Sequence, residues 1–173
     1  HNLQQDLKIF LYFTILFSVF RLIFIGIFNT YLSDCTMQDI LLCQWYGFRL
    51  SLKTAGMIAL IGSVLATLPQ IGFMKWPSEI IRRIWSALMT VIFSIAFCAS
   101  IPYYEIFNSG FNIMLINGAH DDWGAILDTA INEYGLLWRL PLAFLLTGIL
   151  IWLLLKFLNI KTRPAKITNS RQL

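Results

Sequence analysis

The sequence predicts an all-α, polytopic membrane helix bundle, with four transmembrane helices and one or two interfacial amphipathic helices beside them. Composition is the first reason. Of 173 residues, 58% are hydrophobic and only 13% are charged, and the mean hydropathy is +0.70. Thirteen bases and nine acids cannot cover a water-soluble domain of this length, and the same apolar excess excludes intrinsic disorder. The second reason is length: four stretches hold the roughly 20 mainly apolar residues that a spanning helix requires. The third is that bases and acids separate into different loops, as they do in membrane proteins. No separate soluble domain fits, so residues 1–173 read as one membrane domain. The net charge of +4 then reports topology, and no nucleic-acid partner is expected.

The first span runs from about Ile9 to Phe28. It is too long and too aromatic for a signal peptide, and Arg21 interrupts its apolar core. The second, from about Leu52 to Leu68, closes at Pro69. Of its small residues, Gly56, Ala59 and Ser63 share one side at helical spacing, which predicts close approach of a neighbouring helix there. The third runs from about Ile84 to Ile101 and is expected to end at Pro102. The fourth runs from about Leu136 to Leu158, with Trp138 and Trp152 inside its ends.

Charge orients these spans. The segment from Pro69 to Arg83 sets Lys75, Arg82 and Arg83 against Glu79, and the tail carries Lys156, Lys161, Arg163, Lys166 and Arg171 without an acid. Both are expected in the cytoplasm, with both termini. The stretch from Pro102 to Gly135 carries Glu105, Asp121, Asp122, Asp128 and Glu133 without a base, and is expected outside. Between Met37 and Phe48, apolar Ile40, Leu41, Leu42, Trp45 and Tyr46 alternate with Gln38, Asp39 and Gln44, which predicts a short helix lying in the headgroup region. Trp123, Ile126, Leu127, Ala130, Ile131 and Tyr134 make one helical face, a second interfacial helix over about 123–134. Asp121 or Asp122 would cap it, and Gly135 would supply a left-handed stop. The mixed segment from Tyr103 to Leu115 is expected to pack on the outer rim of the bundle.

Candidate chemistry is sparse. His120, Asp121 and Asp122 are consecutive and suit helix capping better than metal ligation, so no metal site, catalytic motif or cofactor is expected in this chain. Cys35 and Cys43 are read as free thiols, although a disulfide is permitted if both lie outside. Arg21 has two readings: an intramembrane partner for an acid or a substrate phosphate, or a side chain reaching along its stem to water. Arg49 and Lys53, near the start of the second span, either anchor it at the interface or hold an anionic headgroup.

Several segments are similar to one family. The stretch Phe17-Ser18-Val19-Phe20-Arg21-Leu22-Ile23-Phe24, with Asn29 beyond it, resembles the first span of the bacterial membrane-anchored, sulfatase-like lipoteichoic acid synthase and phosphoglycerol transferase family. Asp39-Ile40 with Gly47-Phe48-Arg49-Leu50-Ser51-Leu52 resembles that family's approach to its second span. Tyr103-Tyr104-Glu105, Phe111-Asn112 and the Asp121 to Tyr134 segment resemble its outer segment. The chain departs from the pattern at Ser51, Ser100 and Gly110, where Asp, an acid and Arg are expected.

The resemblance implies a truncated membrane domain in the bacterial cytoplasmic membrane. It would anchor and position a lipid headgroup for an extracytoplasmic domain that transfers phosphoglycerol or phosphoethanolamine-type groups. Such a catalytic domain needs clustered Asp, His and Glu metal ligands with a Thr or Ser nucleophile, and these 173 residues contain no such cluster. It further implies that Arg49, Lys53, Tyr103, Tyr104 and Asn112 gather around an anionic phospholipid at the outer leaflet. The alternative is a small non-enzymatic membrane subunit that binds partner helices through its Gly and Ala face.

Overall fold

A computed structural model describes residues 2–29, 36–71, 77–111, 132 and 135–160 of the chain. They form α1 (Asn2–Ile27), α2 (Met37–Thr67), α3 (Ser78–Phe107) and α4 (Leu136–Asn159), with a 3-10 turn over Leu68–Ile71. All four helices are long and apolar enough to cross a membrane, and no strand occurs among the described residues. The chain is an all-helical, multi-pass membrane protein.

Side-chain pairings fix the helix directions. Between α1 and α3, Phe17 meets Phe93, Phe20 stacks on Phe97 at 4.2 Å, and Phe24 meets Tyr104, so residue numbers rise together and the two helices are parallel. Between α1 and α4, Lys8 reaches Leu158 and Tyr12 reaches Leu150, so they are antiparallel. Arg83 with Asn159 and Arg139 with Glu105 likewise make α3 and α4 antiparallel. The result is an up-down-up-down bundle. The end where α1 and α3 begin is termed the base, and the opposite end the crown.

The core follows helical periodicity. On α1, Ile9, Phe13, Leu16 and Phe20 recur at i, i+4, i+7 and i+11 and are all buried. They meet a face of α2 made from Ser51, Ala55, Ile58, Ala59, Gly62 and Ala66. Small residues there let the helix backbones close in. One close fit is at Gly62, where an added Cβ would stand 2.8 Å from Cδ1 of Trp85. That indole is itself fixed, because its Nε1–H donates to the Ile58 carbonyl at 3.0 Å. The close-packed face therefore includes Ala55 and Gly62 in place of Gly56 and Ser63, a small rotation from the sequence expectation, with Trp85 pressed against Gly62. The opposite helix faces remain apolar and exposed: Trp138 is 86% exposed, with Leu142, Phe144 and Leu145 beside it. In a membrane such surface faces lipid.

Two boundaries differ from those read in the sequence. Residues 37–48 do not form a separate helix; they are the first three turns of the 31-residue α2, which continues unbroken into the span. Thr36 starts it with a capping box, its hydroxyl and amide paired with the Asp39 carboxylate. Nor does α3 stop at Pro102. An interior proline costs about 3 kcal/mol through one lost backbone bond and the clash of its ring with the preceding turn. Ring contacts of Tyr104 with Phe24 and Phe28, and of Tyr103 with Phe107, are each worth about 0.5–1.5 kcal/mol and hold the continuing turn. The helix ends instead at Asn108, left-handed at φ 47°, whose N–H returns to the Tyr104 carbonyl at 2.9 Å. Gly135 is left-handed, at φ 60°, and serves as the N-cap of α4, while its expected part as the stop of a helix over 123–134 lies outside the described residues. Of the helix expected over 123–134, residue 132 is described and is helical, and the rest lies outside the described residues.

Candidate functional site

Arg21 lies on α1 at the crown half of the bundle, where the antiparallel packing of α2 brings Gly47 and Ser51 beside it. Its guanidinium covers Gly47 so closely that an added Cβ would fall 2.2 Å from Cζ. A glycine is what makes room. Nη2 donates to Ser51 Oγ at 3.0 Å, and that hydroxyl donates in turn to the Gly47 carbonyl at 3.0 Å. Nη1 is shut off from solvent without an acceptor. The described ion pairs leave Arg21 out: Asp6 takes Arg82 at 2.8 Å, and Glu105 takes Arg139 at 3.0 Å.

In front of the guanidinium lies an open groove of about 250 Å³, lined by Phe17, Arg21, Leu50, Ser51, Thr54 and Phe93. Phe17 and Phe93 meet edge to face at 4.8 Å on one side of it. The groove therefore sets part of a guanidinium, with Nη1 closed off and Nη2 bound to Ser51, beside apolar and aromatic walls. Among the described residues no group of His, Cys, Asp and Glu could hold a metal.

The other predicted residues are distributed around this point. Arg49 and Lys53 are exposed on α2. They stand one turn apart, and Arg49 is about 200° around the helix from both Gly47 and Ser51, so neither base joins the Arg21 contact. Tyr103 is buried against Phe107 and Phe111, and Tyr104 packs on Phe24 and Phe28 at the crown. Asn112 lies outside the described residues, as do Cys35 and His120. Cys43 is exposed.

The base holds a polar cluster that the sequence reading did not single out. Lys8 is buried, and its ammonium donates to the Leu158 and Ile160 carbonyls at the end of α4, satisfying acceptors the helix leaves open. The Arg82 side chain is 4% exposed in its pair with Asp6, whereas both partners of Arg139–Glu105 are about 40% exposed. Burial separates their energies: breaking a buried pair costs about 3–5 kcal/mol, but an exposed one contributes less than about 1 kcal/mol. The available signal was Asp6 and Lys8 entering an apolar span, which demanded partners. In comparison with known proteins, the chain matches no family model, no curated protein and no solved structure.

Proposed function

We propose that this chain is the membrane domain of a bacterial lipid-linked phosphoglycerol or phosphoethanolamine-type transferase. It anchors and positions a lipid headgroup for an extracytoplasmic catalytic domain, with both of its own termini in the cytoplasm. One observation supports the reading above the others: the short segments that resemble that family meet in space. Arg21, from the first, lies on Gly47 and Ser51 of the second, and Tyr104, from the third, packs on Phe24 and Phe28. Sequence separations of 26 to 80 residues thus collapse into one end of the bundle. In this reading Arg49 and Lys53, exposed on α2, face the headgroups, with Tyr103 and Tyr104 at the same end.

The reading frame beyond Leu173 tests the assignment. Codons for a domain of several hundred residues with Asp, His and Glu clusters are expected; an immediate stop codon would favour a small partner-binding subunit. That second reading has less support from the packing, because Ala55, Ala59, Gly62 and Ala66 are already spent inside the bundle. Phosphatidylglycerol retention on purification tests the headgroup role, and Arg49→Ala should reduce it.

A further inference from the structure

We propose that Arg21 and the groove before it form a phosphate site on the crown side of the bundle, filled by the headgroup of an anionic phospholipid entering sideways between α1, α2 and α3. The inference rests on the lipid-handling part of the function proposed above and names where that lipid is held. The position of the guanidinium is its first support. Arg21 stands six residues before the end of α1, about 9 Å down the helix at 1.5 Å per residue. The side chain turns sideways onto Gly47 and Ser51 of α2, at the same depth. The second support is that its direct hydrogen-bond partner is neutral. Ser51 Oγ accepts from Nη2, Nη1 is buried without an acceptor, and Asp6 and Glu105 are committed to other arginines. Among the described residues no carboxylate pairs with Arg21, Arg49 and Lys53 add two more cations at its level of α2, and the remedies are water or an anionic counter-ion.

The groove selects among these remedies. It is open along its side and walled by Phe17, Leu50 and Phe93, so acyl chains can lie on it while a phosphate meets the guanidinium. A phosphate oxygen can accept from the part of the guanidinium that lines the groove, and a second reaches Nη1 when the side chain turns away from Gly47. Gln44 stands one turn toward the crown on the face of α2 that carries Gly47 and Ser51, and its buried Oε1 has no partner. Its amide can turn a donor or an acceptor to the ligand.

Native mass spectrometry of the full chain, titrated with phosphatidic acid, phosphatidylcholine and inorganic phosphate, tests the site. The unaltered protein should keep phosphatidic acid in preference to phosphatidylcholine; equal retention overturns the proposal. Ser51→Asp puts a carboxylate on the Nη2 partner and neutralises the cation from inside. It should lower phosphatidic acid retention roughly tenfold without lowering the thermal midpoint, and Arg21→Gln should lower it as far. Unchanged retention in either folded variant overturns the proposal. Two further results do so by naming another occupant: inorganic phosphate retained in place of the lipid, or a complex with a second chain that Ser51→Asp dissociates. If Arg49→Ala sheds lipid while Ser51→Asp keeps it, the Arg21 site falls and the headgroup role remains at the helix surface. The reading frame past Leu173 separately decides the transferase assignment.

Discussion

Single residues at the helix contacts decide how closely the backbones approach, and two glycines of α2 show how differently the same substitution should act. At Gly56 the nearest atom to an added Cβ is Cε2 of Phe10 at 3.9 Å, an ordinary contact, so Gly56→Ala should gain up to about 1 kcal/mol from helix propensity. At Gly62 the new methyl would meet Trp85 Cδ1 at 2.8 Å and Nε1 at 3.3 Å. The indole cannot swing aside without giving up its bond to the Ile58 carbonyl. Gly62→Ala should therefore destabilise by about 1–3 kcal/mol, the usual cost of overpacking. Thermal melts of both variants in detergent check this; equal midpoints would remove Trp85 as the anchor. The small-residue character of α2 was legible in the sequence, but its facing was not, since periodicity marks a stripe without saying which large residue of another helix will press on it. Arg21 was legible as an intramembrane charge. Its seat on Gly47 was not, because a tertiary contact 26 residues away leaves no local pattern.

At the scale of elements, hydropathy found all four helices and placed their ends less well. A window scores the solvent that a segment prefers, whereas a helix ends where its backbone bonds stop. Hence α2 begins at its Thr36 and Asp39 capping box rather than near Leu52, and α3 runs through Pro102 to the left-handed Asn108. The far end of α4 shows the same logic at a distance. Its last carbonyls, at Leu158 and Ile160, are met by Lys8 from α1 rather than by a local cap. Lys8→Met keeps the apolar stem and removes the donors. It should lower stability by about 1–2 kcal/mol and speed amide exchange in the last turn of α4. Hydrogen exchange read by mass spectrometry checks it, and an unchanged last turn would show that the cap contributes nothing.

At the scale of the whole molecule, the two ends of the bundle differ in charge, and this difference makes the topology testable. The base collects Lys8, Arg82, Arg83 and Lys156 from three helices against Asp6 and Glu79. The neighbouring loop and tail add Lys75, Lys161, Arg163, Lys166 and Arg171 in sequence. The crown carries Asp39, Glu105, Arg49, Lys53 and Arg139, and it adjoins the segment that bears Asp121, Asp122, Asp128 and Glu133. Bases near span ends stay on the cytoplasmic side during insertion, and acids contribute little, so the base should face the cytoplasm. The up-down-up-down order then puts both termini there as well. Single cysteines at His120→Cys and Ala165→Cys, in a background where Cys35, Cys43 and Cys98 are replaced by Ser, test this with a membrane-impermeant maleimide on intact cells. Labelling at position 120 and protection at position 165 are expected. The reverse pattern would invert the molecule, move Arg49, Lys53 and the Arg21 groove to the cytoplasmic leaflet, and separate the proposed headgroup site from any extracytoplasmic catalytic domain.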